Sequence, residues 1–289
     1  MLRRIAYAAP AAVMAISLTG CMGIGDDKSG SGGDTGNVAL SAAQVMNKAA
    51  QNTASADTYK MDMRLTAVPP KSGGAPQKAV HISGTGQYQL KPSLAFATTF
   101  DTMSMGSQQL PGGMQVRLVG KTIYLKSGLL QKATGGKPWI KIDTAKLSQK
   151  GGVNFDQLLS TAQDQANPVT YTKMFTASKD VKKVGRQTVR GTQTTHYTGT
   201  VDLTKAYAKL DPKLRKSAQS QLKELKKVNF DLFADDQQLP RKIVLHGNAD
   251  GGKYSATLLY SDFGQPVHVS APPAAQVTDG SKPGRGLPS

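Results

Sequence analysis

The chain has 289 residues, enough for one or two domains, and its 38% hydrophobic content can bury a substantial core. It is basic, with 36 Lys and Arg against 19 Asp and Glu and a net charge of +17. Aromatic residues make up 6%, and the single cysteine excludes a disulfide framework within the chain. The composition favours a globular protein, rich in β-structure and flanked by polar tails.

The N-terminus has the features of an export signal. Arg3 and Arg4 precede an apolar stretch, residues 5–19, that is too short for a typical membrane-spanning helix. The stretch ends in LTGC, residues 18–21, which resembles a bacterial lipobox. In lipoproteins of that type the cysteine thiol receives a diacylglycerol and cleavage leaves this cysteine as the first residue.

The lipobox resemblance implies that residues 1–20 are a signal peptide and that Cys21 carries the lipid, palmitate included, on the outer face of the cell membrane. Residues 21–37 are rich in Gly, Ser and Asp and predict a flexible tether with a reach of about 20–25 Å. The Pro- and Gly-rich residues 272–289 predict a disordered tail. One folded domain over residues 38–271 is therefore expected.

This domain begins with a helix. Ser41 and Gln44 form a capping box that predicts a helix to about residue 54. Alternation of apolar and polar residues then predicts strands at 57–68, 79–90, 93–103, 114–119, 122–126 and 138–143. Gly120-Lys121 is typical of a two-residue hairpin turn, so neighbouring strands are expected to be antiparallel.

Further helices and strands follow. Asn154 with Gln157, Asn167-Pro168 and Asp211-Pro212 each predict the start of a helix. Strands are predicted at 180–185, 188–201, 228–234, 241–248 and 254–262, which brings the total to about eleven. So many consecutive antiparallel strands with few helices favour one strongly curved sheet, with the helices covering its concave face.

Several segments resemble actinobacterial lipoproteins of the LppX/LprG type. They are the lipobox, the tether, the first helix, WIKID from Trp139, YTGTVDLTKAY from Tyr197, LPRKIVL from Leu239 and YSATLLYSDFGQPVHVSAPPAAQV from Tyr254. That family shares the half-open barrel of the LolA and LolB lipoprotein carriers. The resemblance therefore implies an α+β, LolA-like fold and a hydrophobic cavity that holds the acyl chains of a lipid or glycolipid.

The apolar faces of the predicted strands supply the candidate cavity residues. They are Met61, Met63, Leu65, Phe96, Phe100, Met114, Val116, Leu118, Phe230 and Leu232. A close-packed core would produce the same alternation. The methionines favour a cavity, because an unbranched thioether repacks around guests of irregular shape.

Basic residues form two further clusters, near residues 179–190 and 213–227. Removal of residues 1–20 would take away two basic and no acidic side chains, leaving a net charge of about +15. Lys182, Lys183, Lys226 and Lys227 are candidates to face an anionic membrane surface, and a solvated protein surface is the alternative. The runs lack interleaved aromatic residues, so nucleic acid is not an expected partner.

No sequence signal indicates an enzyme. The chain has no G-x-S-x-G or H-E-x-x-H motif, and its four histidines are scattered without metal-ligand spacing, so neither a metal nor a cofactor is expected. His196 is expected to be a packed or surface residue.

Two functions remain open for a monomer of this kind. One is a lipoprotein that binds a lipid and carries or presents it at the cell envelope. The other is an envelope sensor or interaction module that binds a lipopeptide or a partner protein without transport.

Overall fold

The computed structural model describes residues 41–68, 78–109, 113–130, 134–144, 168–208, 215, 226–249 and 252–280. The predicted signal peptide, Cys21, the tether and the helices predicted after Asn154 and Asp211 lie outside the described residues, apart from Arg215. In the described ranges no helix combines the length and apolar character that crossing a membrane requires.

Three α-helices and two 3-10 helices are described. The α-helices are α1 (Ala42–Ala54), α2 (Pro168–Phe175) and α3 (Leu203–Tyr207), and the 3-10 helices span Gly128–Leu130 and Ala274–Gln276. The predicted capping box begins α1: the Ser41 backbone N–H donates to Gln44 Oε1 (2.8 Å), and the Gln44 N–H donates to Ser41 Oγ (3.3 Å). Pro168 opens α2, as its position after Asn167 predicts.

All the described strands belong to one sheet of thirteen strands. They are β1 (Thr58–Val68), β2 (Val80–Gln89), β3 (Ala95–Met105), β4 (Gln108–Gln109), β5 (Met114–Val119), β6 (Thr122–Ser127), β7 (Trp139–Asp143), β8 (Lys182–Val189), β9 (Thr192–Asp202), β10 (Lys227–Ala234), β11 (Pro240–Ala249), β12 (Gly252–Ser261) and β13 (Val277–Asp279). The expected count of about eleven is too low because β4 and β13 are short and carry no alternation of their own.

The sheet is curved and does not close, which confirms the predicted fold class. Its strands follow the order β13-β7-β6-β5-β3-β2-β1-β12-β11-β10-β9-β8, with β4 paired to β3. The pairs are antiparallel except β13 with β7. Consecutive strands are therefore mostly hydrogen-bonded neighbours, and β1 and β12 join the two halves of the series.

The helices pack against one face of the sheet, here called the inner face. Val45, Met46 and Ala49 of α1 are buried in the same apolar cluster as residues of the central strands. Phe175 at the end of α2 stacks on Phe230 of β10, with ring centroids 4.1 Å apart. This stack covers the inner face at Phe230 with a protein side chain.

The position of one turn and the presence of one helix differ from the sequence prediction. The break expected between residues 185 and 188 lies instead at Arg190-Gly191, where both residues have positive φ, 48° and 80°. Arg-Gly is a weaker signal for such a turn than Asn-Gly, so the sequence pattern misses it. Helix α3 was not predicted either; Asp202 caps it by accepting from the Thr204 N–H (3.0 Å).

The prediction of a disordered tail over residues 272–289 is wrong for residues 272–280. After β12 the chain crosses the outer face of the sheet as a strap, residues 264–276, and ends as β13 beside β7. Side chains of the sheet donate to carbonyls of this strap: Thr58 to Gln265 (2.7 Å), Gln87 to His268 (2.8 Å) and Arg117 to Ser270 (3.1 Å). Tertiary hydrogen bonds thus order a segment whose composition alone suggests disorder.

Candidate functional site

A cleft of about 460 Å³ opens on the inner face of the sheet. Its walls come from β1, β2, β3, β5 and β12, and Tyr171 of α2 adds one side from the helical layer. The volume falls in the range of about 300–1,000 Å³ that is typical of small-molecule sites. Most lining residues are aliphatic, aromatic or methionine, so the cleft suits an apolar guest.

Seven of the ten residues predicted to form a cavity line this cleft. They are Met61, Met63, Leu65, Phe96, Phe100, Met114 and Val116. The cross-strand register brings them together: Phe96 lies opposite Leu118, Thr98 opposite Val116 and Phe100 opposite Met114 on β3 and β5. Their role in binding a lipid stays a prediction.

The other three predicted residues lie elsewhere. Phe230 and Leu232 are fully buried in the core beneath the helices, where Phe175 occupies the space in front of Phe230. Leu118 belongs to a second core cluster with Ile123, Ile140 and Ile142. Their alternation predicts the correct face of the sheet, but packing by other elements decides that these positions are core.

The burial of successive side chains along β1 shows which end of the cleft is closed and which is open. Tyr59 and Met61 are buried, Met63 is half-buried and Leu65 is 37% exposed, although all four share one face of the strand. At about 3.3 Å per residue, Tyr59 lies about 20 Å from Leu65 along the strand. The inner end of the cleft is therefore at Tyr59, and its mouth is at Leu65.

The inner end also contains tyrosines that the sequence analysis did not single out. Tyr59, Tyr88 and Tyr171 line the cleft, and the rings of Tyr59 and Tyr88 stack with centroids 5.0 Å apart. Burial raises the pKa of Tyr171 to about 12 and that of Tyr88 above its ordinary value. The alternation does place Tyr59 and Tyr88 on the inner face, but only the fold brings Tyr171 to them.

The mouth of the cleft is surrounded by exposed apolar side chains. Leu65 and Met105 are 37% and 52% exposed, toward the ends of β1 and β3. The side chain of exposed Lys78 lies next to Gly106, which follows Met105 in the chain.

The four lysines predicted to face a membrane lie at the same end of the sheet. Lys182 and Lys183 begin β8, and Lys226 and Lys227 stand at the start of β10. Antiparallel pairing places the starts of β8, β10 and β12 at the end where β1 finishes. All four side chains are exposed, so the cleft mouth and this basic edge face the same side of the domain.

The outer face contains a polar groove of about 360 Å³. Charged residues at its edge are paired within the protein: Lys60 with Asp262 (2.8 Å) and Asp62 with Arg190. Arg117 lies over the ring of Trp139, 4.8 Å from its centroid, and holds the strap. The contacts of Arg117 give this side of the groove a structural role in securing the strap.

His196 is packed, in agreement with the sequence analysis. Its Nε2 lies 2.8 Å from Asp231 Oδ1, and its ring stacks on Phe233 with centroids 4.3 Å apart. Among the described residues, no three His, Cys, Asp or Glu side chains come close enough to share a metal ion.

The described strands form an open, curved antiparallel sheet with an apolar cleft, and this architecture is the fold class of the protein. Comparison with curated sequences identifies two relatives. No family model matches the chain. It is 32% identical over 198 residues to an uncharacterized 31.2 kDa protein of Streptomyces griseus, covering 66% of this chain and 65% of the relative. It is 31% identical over 171 residues to a protein of Streptomyces coelicolor described as a putative lipoprotein, covering 57% and 51%. The chain thus spans less than two thirds of either relative.

Solved structures with a similar arrangement include two mycobacterial lipoproteins. LprF from Mycobacterium bovis aligns with a TM-score of 0.47 and 14% identity over 80% of this chain and 96% of that one. LppX from Mycobacterium tuberculosis aligns with a TM-score of 0.44 and 15% identity over 79% and 98%. A LolA superfamily protein from Nitrosomonas europaea aligns with a TM-score of 0.28 and 10% identity over 80% and 96%. LppX is also the lipoprotein type that the sequence segments resemble, so the comparison finds the same kind of similarity.

Proposed function

We propose that this protein is an extracytoplasmic lipoprotein that holds the acyl chains of a lipid or glycolipid in the inner-face cleft. It carries or presents that lipid at the cell envelope and performs no catalysis. The observation that carries the proposal is the cleft itself, an apolar space of about 460 Å³ on the inner face. Exposed Leu65 and Met105 at its mouth provide an apolar path from a membrane to the interior.

The energetics of acyl-chain burial suit a carrier better than a store. Burying a chain of about sixteen carbons yields roughly 12 kcal/mol at about 0.8 kcal/mol per methylene, and a bilayer offers the same chain a similar gain. The net free energy of transfer between membrane and cleft is then close to zero. Lipid can enter and leave the protein without an external energy source.

The test is solvent extraction of the purified domain, residues 38–289, followed by mass spectrometry of the extract. Recovery of one class of acyl lipid in a fixed ratio to protein is the expected result. A domain that yields no lipid and does not take up a fluorescent fatty acid would contradict the proposal. A lipopeptide or a protein fragment in the same extract would favour the sensor or interaction module instead.

The anchor is proposed to be a diacylglycerol on Cys21, after removal of residues 1–20 and ahead of the 21–37 tether. Cys21→Ala is therefore expected to abolish acylation and to move the protein out of the membrane fraction or leave its precursor unprocessed. Met22→Ala, which keeps the LTGC motif, is the matched control. Fractionation and intact-mass measurement report the result. Normal processing and membrane retention of Cys21→Ala would exclude the lipobox.

The basic edge is proposed to orient the cleft mouth toward anionic headgroups. Lys182→Glu with Lys227→Glu is expected to weaken binding of the unlipidated domain to anionic vesicles by roughly tenfold or more, because each surface lysine contributes about 1 kcal/mol. Adding Lys183→Glu and Lys226→Glu should weaken it further, and salt should weaken the wild type. Vesicle co-sedimentation measures the affinity.

Lys91→Glu with Lys121→Glu provides the control for this charge reversal. Both lysines are exposed and lie at the opposite end of the sheet, near the end of β2 and the start of β6. This double variant changes the net charge by the same amount but leaves the mouth side intact. Equal loss of binding in both double variants would show that only the net charge matters.

A further inference from the structure

The inner end of the cleft is more polar than its walls. Tyr59, Tyr88 and Tyr171 line it together with Thr98. The Tyr88 hydroxyl lies 3.0 Å from Thr98 Oγ1, a buried hydrogen bond in which either oxygen can donate. A cleft that received plain hydrocarbon alone would gain nothing from hydroxyls about 20 Å from its mouth.

A fourth tyrosine lies next to this group of hydroxyl-bearing residues. Tyr260 of β12 is the cross-strand partner of Met61 and is only 3% exposed. Its ring meets that of Tyr59 edge-on, with centroids 5.9 Å apart. Met61 and Leu258, which flank it on the inner face, both line the cleft. Tyr260 is not itself a lining residue, but its contacts with Tyr59 and Met61 place it directly against the inner end of the cleft.

The Tyr260 hydroxyl is buried, and no hydrogen-bond partner for it exists among the described residues. Leaving a buried hydroxyl unpaired is costly, because the group loses its hydrogen bonds to water and gains none in return, so such groups usually have a partner. Burial raises the pKa of Tyr260 well above its ordinary value, and the nearby hydroxyls of Tyr171, Tyr59 and Tyr88 raise it further. The hydroxyl thus stays protonated, a neutral donor, through the neutral and mildly alkaline range.

The charge of this region limits what it can bind. Among the described residues that line the cleft, Arg64 alone is charged, and it lies on the exposed part of β1 near the mouth. A charged group at the inner end would lose its hydration without an opposite charge to replace it. A neutral oxygen, by contrast, can accept from tyrosine hydroxyls at little cost.

Taking the proposed lipid-binding function as its basis, we propose that Tyr88 and Tyr260 bind a neutral oxygen within the ligand's hydrophobic chain. The ligand class is then an oxygenated lipid, whose chain carries a hydroxyl, keto or ester group away from its headgroup. The cleft walls accommodate the hydrocarbon, and the inner tyrosines distinguish this chain from an unsubstituted one.

Displacement of a fluorescent fatty acid from the purified domain tests this inference. The competitors are stearate and hydroxystearates with the hydroxyl near the carboxyl end, in the middle or near the methyl end. Because a net hydrogen bond contributes about 1 kcal/mol, one of the hydroxylated positions should bind about fivefold more tightly than stearate. In Tyr88→Phe/Tyr260→Phe the preference, measured as the ratio of hydroxystearate to stearate affinity within the same variant, should fall to about one.

Tyr254→Phe is the matched control. Its hydroxyl is also buried without a partner among the described residues, but Tyr254 lies opposite Ala67, toward the end of β1 and away from the inner end of the cleft, so the preference should survive. Thermal midpoints verify that the variants fold. Equal affinity of the wild type for stearate and every hydroxystearate, or a preference that persists in the double variant, would overturn the inference alone. Failure of every fatty acid to bind would overturn the proposed function and the inference together.

Discussion

Met63→Trp is expected to block uptake of an acyl chain while leaving the thermal midpoint close to that of the wild type. Met63 lies midway along the cleft, half-buried, with Leu258 opposite it on β12 and Gly84 opposite it on β2. An indole at this position should extend into the open volume of about 460 Å³ rather than into protein atoms. The larger side chain then occupies the space that a ligand needs.

The competing model makes the opposite prediction for stability. If Met63 belonged to a close-packed core, the larger side chain would overpack it and lower the free energy of unfolding by about 1–3 kcal/mol or more. Binding of a fluorescent fatty acid and the thermal midpoint are therefore measured on the same preparation. A large fall in the midpoint, with a wild type that never binds lipid, would identify the alternating face as core.

Thr85→Trp is the control for this substitution. Thr85 is exposed on β2, opposite Asp62 on the outer face, so an indole there adds the same bulk without entering the cleft. It should leave fatty-acid binding intact. Loss of binding in both variants would indicate that tryptophan disturbs the sheet in general.

Asp235→Ala is expected to lower the free energy of unfolding by about 3–5 kcal/mol, the range for breaking a buried ion pair. Asp235 is 7% exposed in the turn between β10 and β11. Its Oδ1 accepts from the backbone N–H groups of Gln237 and Leu239 (2.9 Å each), and its Oδ2 accepts from Arg241 Nε (2.7 Å). Alanine leaves three donors without this acceptor.

The effect should extend to the helical layer. Asn52 of α1 donates to the Gln237 carbonyl (2.6 Å), so the turn that Asp235 shapes also holds the end of this helix. Urea unfolding followed by circular dichroism measures the change in free energy.

Asp236→Ala, one residue further along, is the control for the turn. Its carboxylate is 78% exposed and pairs with Arg186 at 3.0 Å, a surface contact worth about 1 kcal/mol or less. Similar losses in the two alanine variants would contradict the role assigned to the buried carboxylate of Asp235.

Features that depend on neighbouring residues were predictable from the sequence. The Ser41–Gln44 capping box and the Gly120-Lys121 turn act over two to four residues, and the structure confirms both. The strands from β1 to β3 were predicted within two residues of their ends, because their alternation reflects which face is buried. The antiparallel meander followed from these local signals and from the short connections between strands.

Whether an inward-facing residue lines a cleft or a core was decided by the tertiary structure. Phe96 and Phe230 have the same alternation and the same side-chain type, yet Phe96 borders the cleft and Phe230 is covered by Phe175. The difference comes from where α2 packs on the sheet, which no pattern within a strand can indicate. All ten predicted cavity residues therefore lie on the correct face of the sheet, but three of them lie outside the cleft.

Two further features that the sequence did not predict, strand β13 and the group of tyrosines at the inner end of the cleft, also depend on long-range contacts. Strand β13 is stable only beside β7, more than 130 residues earlier in the chain, so residues 277–279 alone resemble a tail. The tyrosines at the inner end of the cleft come from β1, β2, α2 and β12, and only folding brings their hydroxyls together. The sequence by itself predicted the strands and the inner face, and its prediction of an export signal concerns residues outside the described ranges. The tertiary structure determined which part of that face is empty and which polar groups lie at its end, because both depend on contacts between distant segments.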